Sequence, residues 1–394
     1  MADNKDKKVL NVPALRFPEF SREWKRHKLS EICSFYSGGT PSSSKKEFYN
    51  GNIPFIRSGE LHKDKTELFI TEDGLNSSAA KLVEIGDLLL ALYGATSGDI
   101  AISKIKAAIN QAILCIRTKQ NKKFIESVWN KHVERLLQTY LQGGQGNLSA
   151  DIVKNIPFYF ADLEEQDKLA NFISLLDERI STQNKIIEKL ETLIKGFVDS
   201  IFTANKFPKV PFKEIYVRAG EGGTPATSNP EYYDNGTIPF IKIDDLQNKY
   251  IKTNKDCITE LGLQKSSAWI VPANSIIYSN GATIGAISIN LFPVCTKQGI
   301  LGVVPKADIN VEFLYYFMTS TAFTKAVERI VTEGTMRTAY LKDINHIPCP
   351  VPYPVKQDEI AKMLSTLSEK LENEVIFQMK LQKQKEFLLS QMFI

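Results

Sequence analysis

The chain has 394 residues, 49 Lys+Arg against 45 Asp+Glu, a formal net charge of +4, and 43% apolar and 24% charged residues. That balance fits a soluble globular protein and excludes a nucleic-acid coat protein, so basic side chains act locally. No window nears the ~18 apolar residues of a membrane span.

A prior of ~150 residues per domain predicts two or three domains. The five cysteines (Cys33, Cys115, Cys257, Cys295, Cys349) are odd in number and lack a CxxC pair. They read as reduced thiols in a cytoplasmic protein, neither a disulfide frame nor a zinc site. The polar start, MADNKDKKVLNV, has no apolar core and is not a signal peptide.

Residues 1 to about 12 read as disordered. Phe17-Pro18 and Trp24 then lead into Lys28-Leu29-Ser30-Glu31-Ile32, followed by Gly38-Gly39-Thr40-Pro41 and Ile53-Pro54-Phe55-Ile56. Leu88 to Tyr93 reads as a short apolar strand ending at a Gly-Ala-Thr-x-Gly turn, Gly94 to Gly98, before a second apolar run. Glycine there suits a hairpin in which φ is positive. A helix follows, with Phe124, Val128, Leu136 and Leu137 on one side. Next come the loop Gly143-Gly144-Gln145-Gly146-Asn147 and an Ile156-Pro157 strand.

Leu163 to Phe202 is the stretch around which the chain is organised. Ile173, Leu176, Ile180, Ile187, Leu190, Ile194, Phe197 and Ile201 step by three and four, with Gln183 as the one interruption. This is a coiled-coil seam, sustained past the length of an ordinary helix. About 40 helical residues make a rod of ~60 Å. A single apolar seam calls for a partner, and Val355 to Ile394 supplies one through Ile360, Leu364, Leu367, Leu371, Leu381, Leu388 and Met392. Its middle is more polar, with Glu374, Gln378 and Lys385 on the seam. The alternative is two separate helices, each packed on its own domain.

After the first rod the pattern recurs. Phe207-Pro208 and Phe212-Lys213-Glu214-Ile215 repeat the entry, and Gly222-Gly223-Thr224-Pro225 repeats Gly38 to Pro41 at an offset of 222−38 = 184. Ile238-Pro239-Phe240-Ile241 answers to Ile53 to Ile56, Ser266-Ser267-Ala268 to Ser77-Ser78-Ala79, and Gly281-Ala282-Thr283 to Gly94-Ala95-Thr96. Lys297-Gln298 answers to Asn110-Gln111, Ile347-Pro348 to Ile156-Pro157, and Gln357-Asp358 to Gln166-Asp167 at an offset of 357−166 = 191. One domain plus one helix is duplicated. Each half reads α+β, and the second predicts a single helix carrying Phe313, Leu314, Phe317, Val327 and Ile330. If the rods pack antiparallel, a pseudo-twofold axis crosses them and two heads are held at a fixed spacing. Duplex DNA, whose groove face recurs every ~34 Å, is the obvious repetitive ligand.

On these motifs the chain resembles the specificity subunit of a type I restriction–modification enzyme, over nearly its whole length. The duplicated Gly-Gly-Thr-Pro and Ile-Pro-Phe-Ile segments, the Ile-Pro strand entering a Gln-Asp-opened helix, and the helix endings Leu190 to Phe197 and Lys385 to Phe393 carry the resemblance. It implies two pseudo-twofold-related α/β target-recognition domains (1–161 and 205–352) separated by an antiparallel coiled coil of two long helices (162–204 and 353–394). It further implies two methyltransferase subunits docked on the helices, restriction subunits outside them, and double-stranded DNA as ligand. No catalytic centre, metal or cofactor is expected in this chain; S-adenosylmethionine, ATP and Mg belong to the partners.

The residues show no chemistry of their own. There is no Gly-x4-Gly-Lys-Ser/Thr phosphate loop. Asn155-Ile156-Pro157-Phe158 faintly resembles an adenine-methyltransferase segment, but His346 stands at the matching place in the second copy. His27, His62, His132 and His346 are scattered without partners at ligand spacing.

DNA contacts are expected from polar loop residues, phosphate taking most hydrogen bonds and base edges giving specificity. Candidates after the Gly-Gly-Thr-Pro segments are Ser42, Ser43, Ser44, Lys45 and Lys46, and then Thr227, Ser228 and Asn229. Arg57 and Lys242 follow the Ile-Pro-Phe-Ile strands; Arg57 suits guanine, or else is a surface charge paired with Glu60 or, for Lys242, Asp244. Tyr93 with Thr96, and Asn280 with Thr283, lie at the hairpin tips. Gln111, Lys297 and Gln298 are placed on the following strand, and Gln145, Asn147, Thr335 and Arg337 in the late loop. The heads differ in nearly all of these side chains, which predicts an asymmetric two-part target. Two other readings compete: an adaptor whose heads bind protein, and a stand-alone methyltransferase with unusual motifs.

Overall fold

A computed structural model describes residues 10–140, 148–203, 207–281, 283–331 and 337–394. The chain forms two units, Met1–Gln183 with Phe377–Ile394, and Asn184–Ile376. Each long helix therefore contributes one half to each unit.

In unit 1 the central strand Leu88–Ala91 is buried on both faces. Leu88 and Leu90 face a core built with Phe124, Val128 and Trp129 of the helix Lys122–Tyr140, while Leu89 and Ala91 face Ile56, Val83 and Ile109 of a second sheet. A strand sandwiched in this way reads as a continuous apolar run rather than an alternating one. Its sheet runs Cys33–Ser37, Ile113–Thr118, Leu88–Ala91, Ile100–Ile102. The other runs Leu68–Ile70, Tyr49–Ile56, Ala107–Ile109, Lys81–Val83, with Tyr49–Ile56 and Ala107–Ile109 parallel.

Unit 2 repeats the plan. Its larger sheet runs Tyr216–Glu221, Ile300–Pro305, Ile276–Ser279, Ile287–Asn290, Tyr250–Ile251, and its smaller one Asp256–Ile258, Ile238–Ile241, Cys295–Thr296. The Gly-Ala-Thr-x-Gly segments close antiparallel hairpins, Leu88 opposite Ile102 and Ile276 opposite Ile289. Gly94, Gly98 and Gly285 hold the positive φ that these turns need.

The helix expected as one piece in unit 2 is two, Val311–Thr319 and Thr321–Ile330. Ser320 is extended, donates its hydroxyl to Phe317 O and caps Phe323 N, so it ends one helix and starts the next. Of the stretch expected to be disordered, residues 1–9 lie outside the described residues, while Asn11 O accepts Trp24 N at 2.9 Å.

The rods are Leu163–Thr203 and Pro354–Met392. In unit 1 the start of the first lies beside the end of the second: Ile173 and Leu176 share a core with Leu388 and Met392, and Asp177 meets Lys385 at 2.5 Å. In unit 2 the end of the first lies beside the start of the second, with Ile194 and Ile201 packed on a core containing Ile360 and Leu364. The pairing is antiparallel. Ile173, Leu364 and Leu381 are fully buried, while Leu176, Ile180, Ile187, Leu190, Ile194, Ile201, Leu367, Leu371 and Leu388 are half-buried. Phe197 does not belong to the seam. It is 41% exposed, and its neighbour Val198 with Phe202 takes the buried place. The polar middle is paired: Asp177 bridges Lys385 and Lys123 (2.7 Å), and Glu374 meets Lys370 at 2.5 Å.

The Gln-Asp pairs that open the rods strap each rod to its head. Gln166, fully buried, accepts Asn121 N at 3.1 Å and donates to Ala161 O at 2.8 Å, while Asp167 accepts Asn121 Nδ2 at 2.7 Å. Gln357 and Asp358 make the same contacts with Asn310 at 2.9 and 2.7 Å.

Candidate nucleic-acid interface

The duplicated motifs converge on one rim of each unit. In unit 1, Tyr49–Ile56 pairs in parallel with Ala107–Ile109, Ile56 opposite Ile109, so Arg57 emerges beside Asn110-Gln111. Gly39 N donates to Ile109 O at 3.2 Å, and Thr40 Oγ1 donates to Gln111 Oε1 at 2.5 Å. In unit 2, Ile241 lies opposite Thr296, Lys297 N donates to Ile241 O at 3.0 Å, and Gln298 N donates to Thr224 Oγ1 at 3.3 Å. A Cβ on Gly38 would lie 1.8 Å from Ile109 O and one on Gly222 2.0 Å from Thr296 O. Backbone must pass there, which explains glycine at both places. Gly39 and Gly223 press in the same way on Ala79 and Ser267 of the Ser-Ser-Ala segments.

Gln111, Lys297 and Gln298 sit in the turns before Ile113–Thr118 and Ile300–Pro305 rather than on a strand, and all three are exposed. In unit 2, Lys242, Lys297 and Gln298 line one cleft of about 530 Å³ with Thr224, Gly281 and Thr338. Sequence reasoning does not single out Thr40, Thr224 or Thr338; the signal for the first two was their place inside the repeated motif.

Arg57 is held by two carboxylates, Glu60 at 3.2 Å and Glu67 at 2.7 Å. Burial alone would raise the Glu60 carboxyl, but hydrogen bonds from Arg57 and from the Glu67 and Arg57 backbone N–H groups hold it below its ordinary value. The guanidinium is thus fixed in direction yet 47% exposed. Lys242 pairs with Asp256 at 2.9 Å, not with Asp244, and Asp245 accepts its backbone N–H.

Ser42, Ser43, Lys45, Lys46, Thr227 and Ser228 are exposed on the loops beyond the Gly-Gly-Thr-Pro segments. At the hairpin tips Thr283 is exposed, but Tyr93 packs half-buried on the core, and the buried Thr96 hydroxyl has no partner among the described residues. Asn280 is corrected outright: it is 1% exposed, and its Nδ2 donates to Ala339 O at 3.1 Å. Arg337 is exposed. Gln145, Asn147 and Thr335 lie outside the described residues.

Two histidines do have carboxylate partners, His62 with Asp99 at 2.8 Å and His27 with Glu31 at 3.1 Å. Asp99 raises the His62 imidazole above its ordinary pKa. Among the described residues no three His, Cys, Asp or Glu side chains gather to hold a metal ion, and no helix is long and apolar enough to cross a membrane.

Comparison with known proteins agrees with this geometry. The family model described as "Type I restriction modification DNA specificity domain" matches residues 21–192 and again 209–380. The specificity subunits of the type I restriction enzymes MjaIX and MjaVIII from Methanocaldococcus jannaschii are 25% and 22% identical, each over 93% of this chain and 92% and 91% of their own lengths. The crystal structure of a type I restriction–modification S subunit from M. genitalium superposes with a TM-score of 0.59 at 16% identity, covering 97% of this chain and 99% of that one. That likeness concerns the fold.

Proposed function

Because the chain belongs to the type I restriction–modification DNA specificity family, we propose that it reads an asymmetric, two-part DNA sequence, one part through each unit. Sequence specificity within a restriction system comes with the family. The division of labour is our reading, and one observation carries it. The same motifs build the same rim twice, yet the side chains there differ: exposed Arg57 and Gln111 in one unit, exposed Lys297 and Gln298 with half-buried Lys242 in the other.

The rods set the unread gap and dock two methyltransferase subunits, with restriction subunits outside them. Ile186, Leu193 and Phe197 are exposed on the part of the first rod that lies in unit 2, and at 100° per residue they fall within about 40° of one another. That is an apolar stripe separate from the seam, of the kind a partner covers. The chain works in the cytoplasm as a non-catalytic subunit. S-adenosylmethionine, ATP and Mg are held by its partners.

Binding-site selection with the full assembly tests this reading. A split, non-palindromic motif is expected, and Lys297→Ala should relax only the half that Arg57→Ala leaves intact. A palindrome, or one contiguous motif, overturns it.

A further inference from the structure

One strand pair in each unit carries the same kind of group, built from different residues. In unit 1, Cys33–Ser37 runs along Ile113–Thr118 with Ser34 opposite Arg117, Tyr36 opposite Cys115 and Ser37 opposite Leu114. In unit 2, Tyr216–Glu221 runs along Ile300–Pro305 with Arg218 opposite Val304, Gly220 opposite Gly302 and Glu221 opposite Leu301. The first strands differ by 218−34 = 184 and the second by 304−117 = 187, so Arg218 answers to Ser34 and Val304 to Arg117. The arginine has changed strands and kept its place in the ladder.

Each arginine lies over an aromatic ring. The Arg117 guanidinium carbon is 5.1 Å from the Tyr36 ring centroid, and that of Arg218 is 4.1 Å from the Trp269 centroid. Trp269 reaches this place because Gly220 and Gly302 leave room for it: a Cβ on Gly302 would lie 3.0 Å from the indole and one on Gly220 3.4 Å. There the two sites part. Arg117 Nη2 donates to the buried Asp87 carboxylate at 2.8 Å. Leu88 opposite Ile116 and Ile276 opposite Val303 make Ser275 the counterpart of Asp87, so unit 2 has no carboxylate at that position. Arg218 is exposed, and its guanidinium N–H donors have no partner among the described residues. The ladder also slips between Tyr216 and Arg218, on an edge strand of its sheet, where a bulge re-aims a side chain. The unit 1 pair runs without a slip.

Resting on the reading that the rim faces DNA, we propose that Arg218, held on Trp269, clasps one backbone phosphate of the half-target read by unit 2. The ring restrains a side chain that would otherwise lose its rotamer freedom on binding, and the guanidinium fork meets a phosphate in two bonds. Arg218 precedes Gly222 of the rim by 222−218 = 4 residues, about 13 Å of strand. A duplex seated on the rim presents a phosphate on each strand for every ~3.4 Å of its axis. Such a contact positions the duplex and carries no sequence. In unit 1 the Asp87 carboxylate already occupies the corresponding guanidinium.

The test uses the full-length chain in its methyltransferase assembly, bound to a duplex carrying the selected target. Each phosphate in turn is replaced by an uncharged methylphosphonate. With the wild type, one replacement beside the half read by unit 2 should weaken binding about tenfold, as loss of a charge-assisted contact does. Arg218→Ala should bind the unmodified duplex about tenfold more weakly and be indifferent to that one replacement, while keeping the melting temperature and every base preference. Its log–log salt slope should fall by about one. Arg218→Lys, which keeps the charge without the fork, should keep the slope. An Arg218→Ala chain that binds as tightly as the wild type, or that responds to every replacement as the wild type does, overturns the contact while leaving sequence reading intact. A changed preference at one base pair makes Arg218 a base reader, and loss of the methyltransferase from the purified assembly makes it a protein contact; in either case the phosphate assignment falls. Absence of any sequence-specific binding by the wild type overturns the reading beneath it.

Discussion

Asp177→Asn should destabilise unit 1 by about 1–2 kcal/mol at neutral pH. The Asp177 carboxylate on the first rod accepts Lys123 at 2.7 Å and Lys385, from the second rod, at 2.5 Å. Both lysine side chains are 22% exposed. Asparagine keeps the shape and removes the charge. Lys123 then retains Glu126 at 2.5 Å, while Lys385 loses its carboxylate. A charge-assisted hydrogen bond contributes about 1.5–3 kcal/mol, reduced here because Asp177 is 30% exposed and solvent screens it. Burial pushes the Asp177 carboxyl up, but the two lysines outweigh this and hold it below its ordinary value. A carboxylate with a lowered folded pKa contributes stability above its unfolded value, about 3.9, and loses it as pH falls through the folded one. The deficit of Asp177→Asn should therefore be full at pH 7 and close below about pH 4. Urea unfolding at several pH values, in a cycle with Lys385→Met, measures a coupling of about 1 kcal/mol. Curves for Asp177→Asn and wild type that superimpose at pH 7, or zero coupling with Lys385→Met, refute the reasoning.

Arg57→Ala should cost about 1–3 kcal/mol of discrimination in one half-target only, measured by competition binding against single-base variants. Leu190→Asp, on the rod seam, should loosen the rods and abolish activity at every target, measured by modification assays and size-exclusion profiles of the assembly. If it resembles Arg57→Ala, the division between spacer and reader is wrong. Gly38→Ala forces a Cβ towards Ile109 O, so about 1–3 kcal/mol of stability should be lost in thermal unfolding. Binding to the selected duplex should weaken linearly in log–log plots against salt, with a slope that falls by about one for each phosphate-contacting lysine removed, Lys45 or Lys46 being the first to try.

The duplication was legible because its markers obey backbone geometry. Gly38 and Gly222 are pinned by close approach, and Gln166 and Gln357 by buried hydrogen bonds, so the same residues stand at the same places. The rods were legible through their period. Where several neighbouring residues are apolar, the period stops deciding: Phe197 and Val198 both fit the pattern, and only packing places Val198 inside. Ser320 looks like any mid-helix serine until its hydroxyl is seen capping Phe323. At the rim, sequence places Arg57 and Lys242 after matching strands but does not reveal their carboxylate partners, because Glu67 and Asp256 arrive from other strands or loops. Asn280 shows the converse: an amide at a hairpin tip reads as exposed, and it is buried with its Nδ2 bonded to Ala339 O.

Phe393 is 1% exposed and sits against Trp24 and Phe124, with ring centroids 6.3 and 5.4 Å away. The part of unit 1 around Trp24 and Phe124 is thus closed by a residue 393−124 = 269 positions further along the chain. At about 5–20 residues per second, the N-terminal core waits on the order of ten seconds or more for its plug while all of unit 2 is made. Throughout that interval the Trp24 and Phe124 rings lack this cover, which ties completion of unit 1 to synthesis of unit 2.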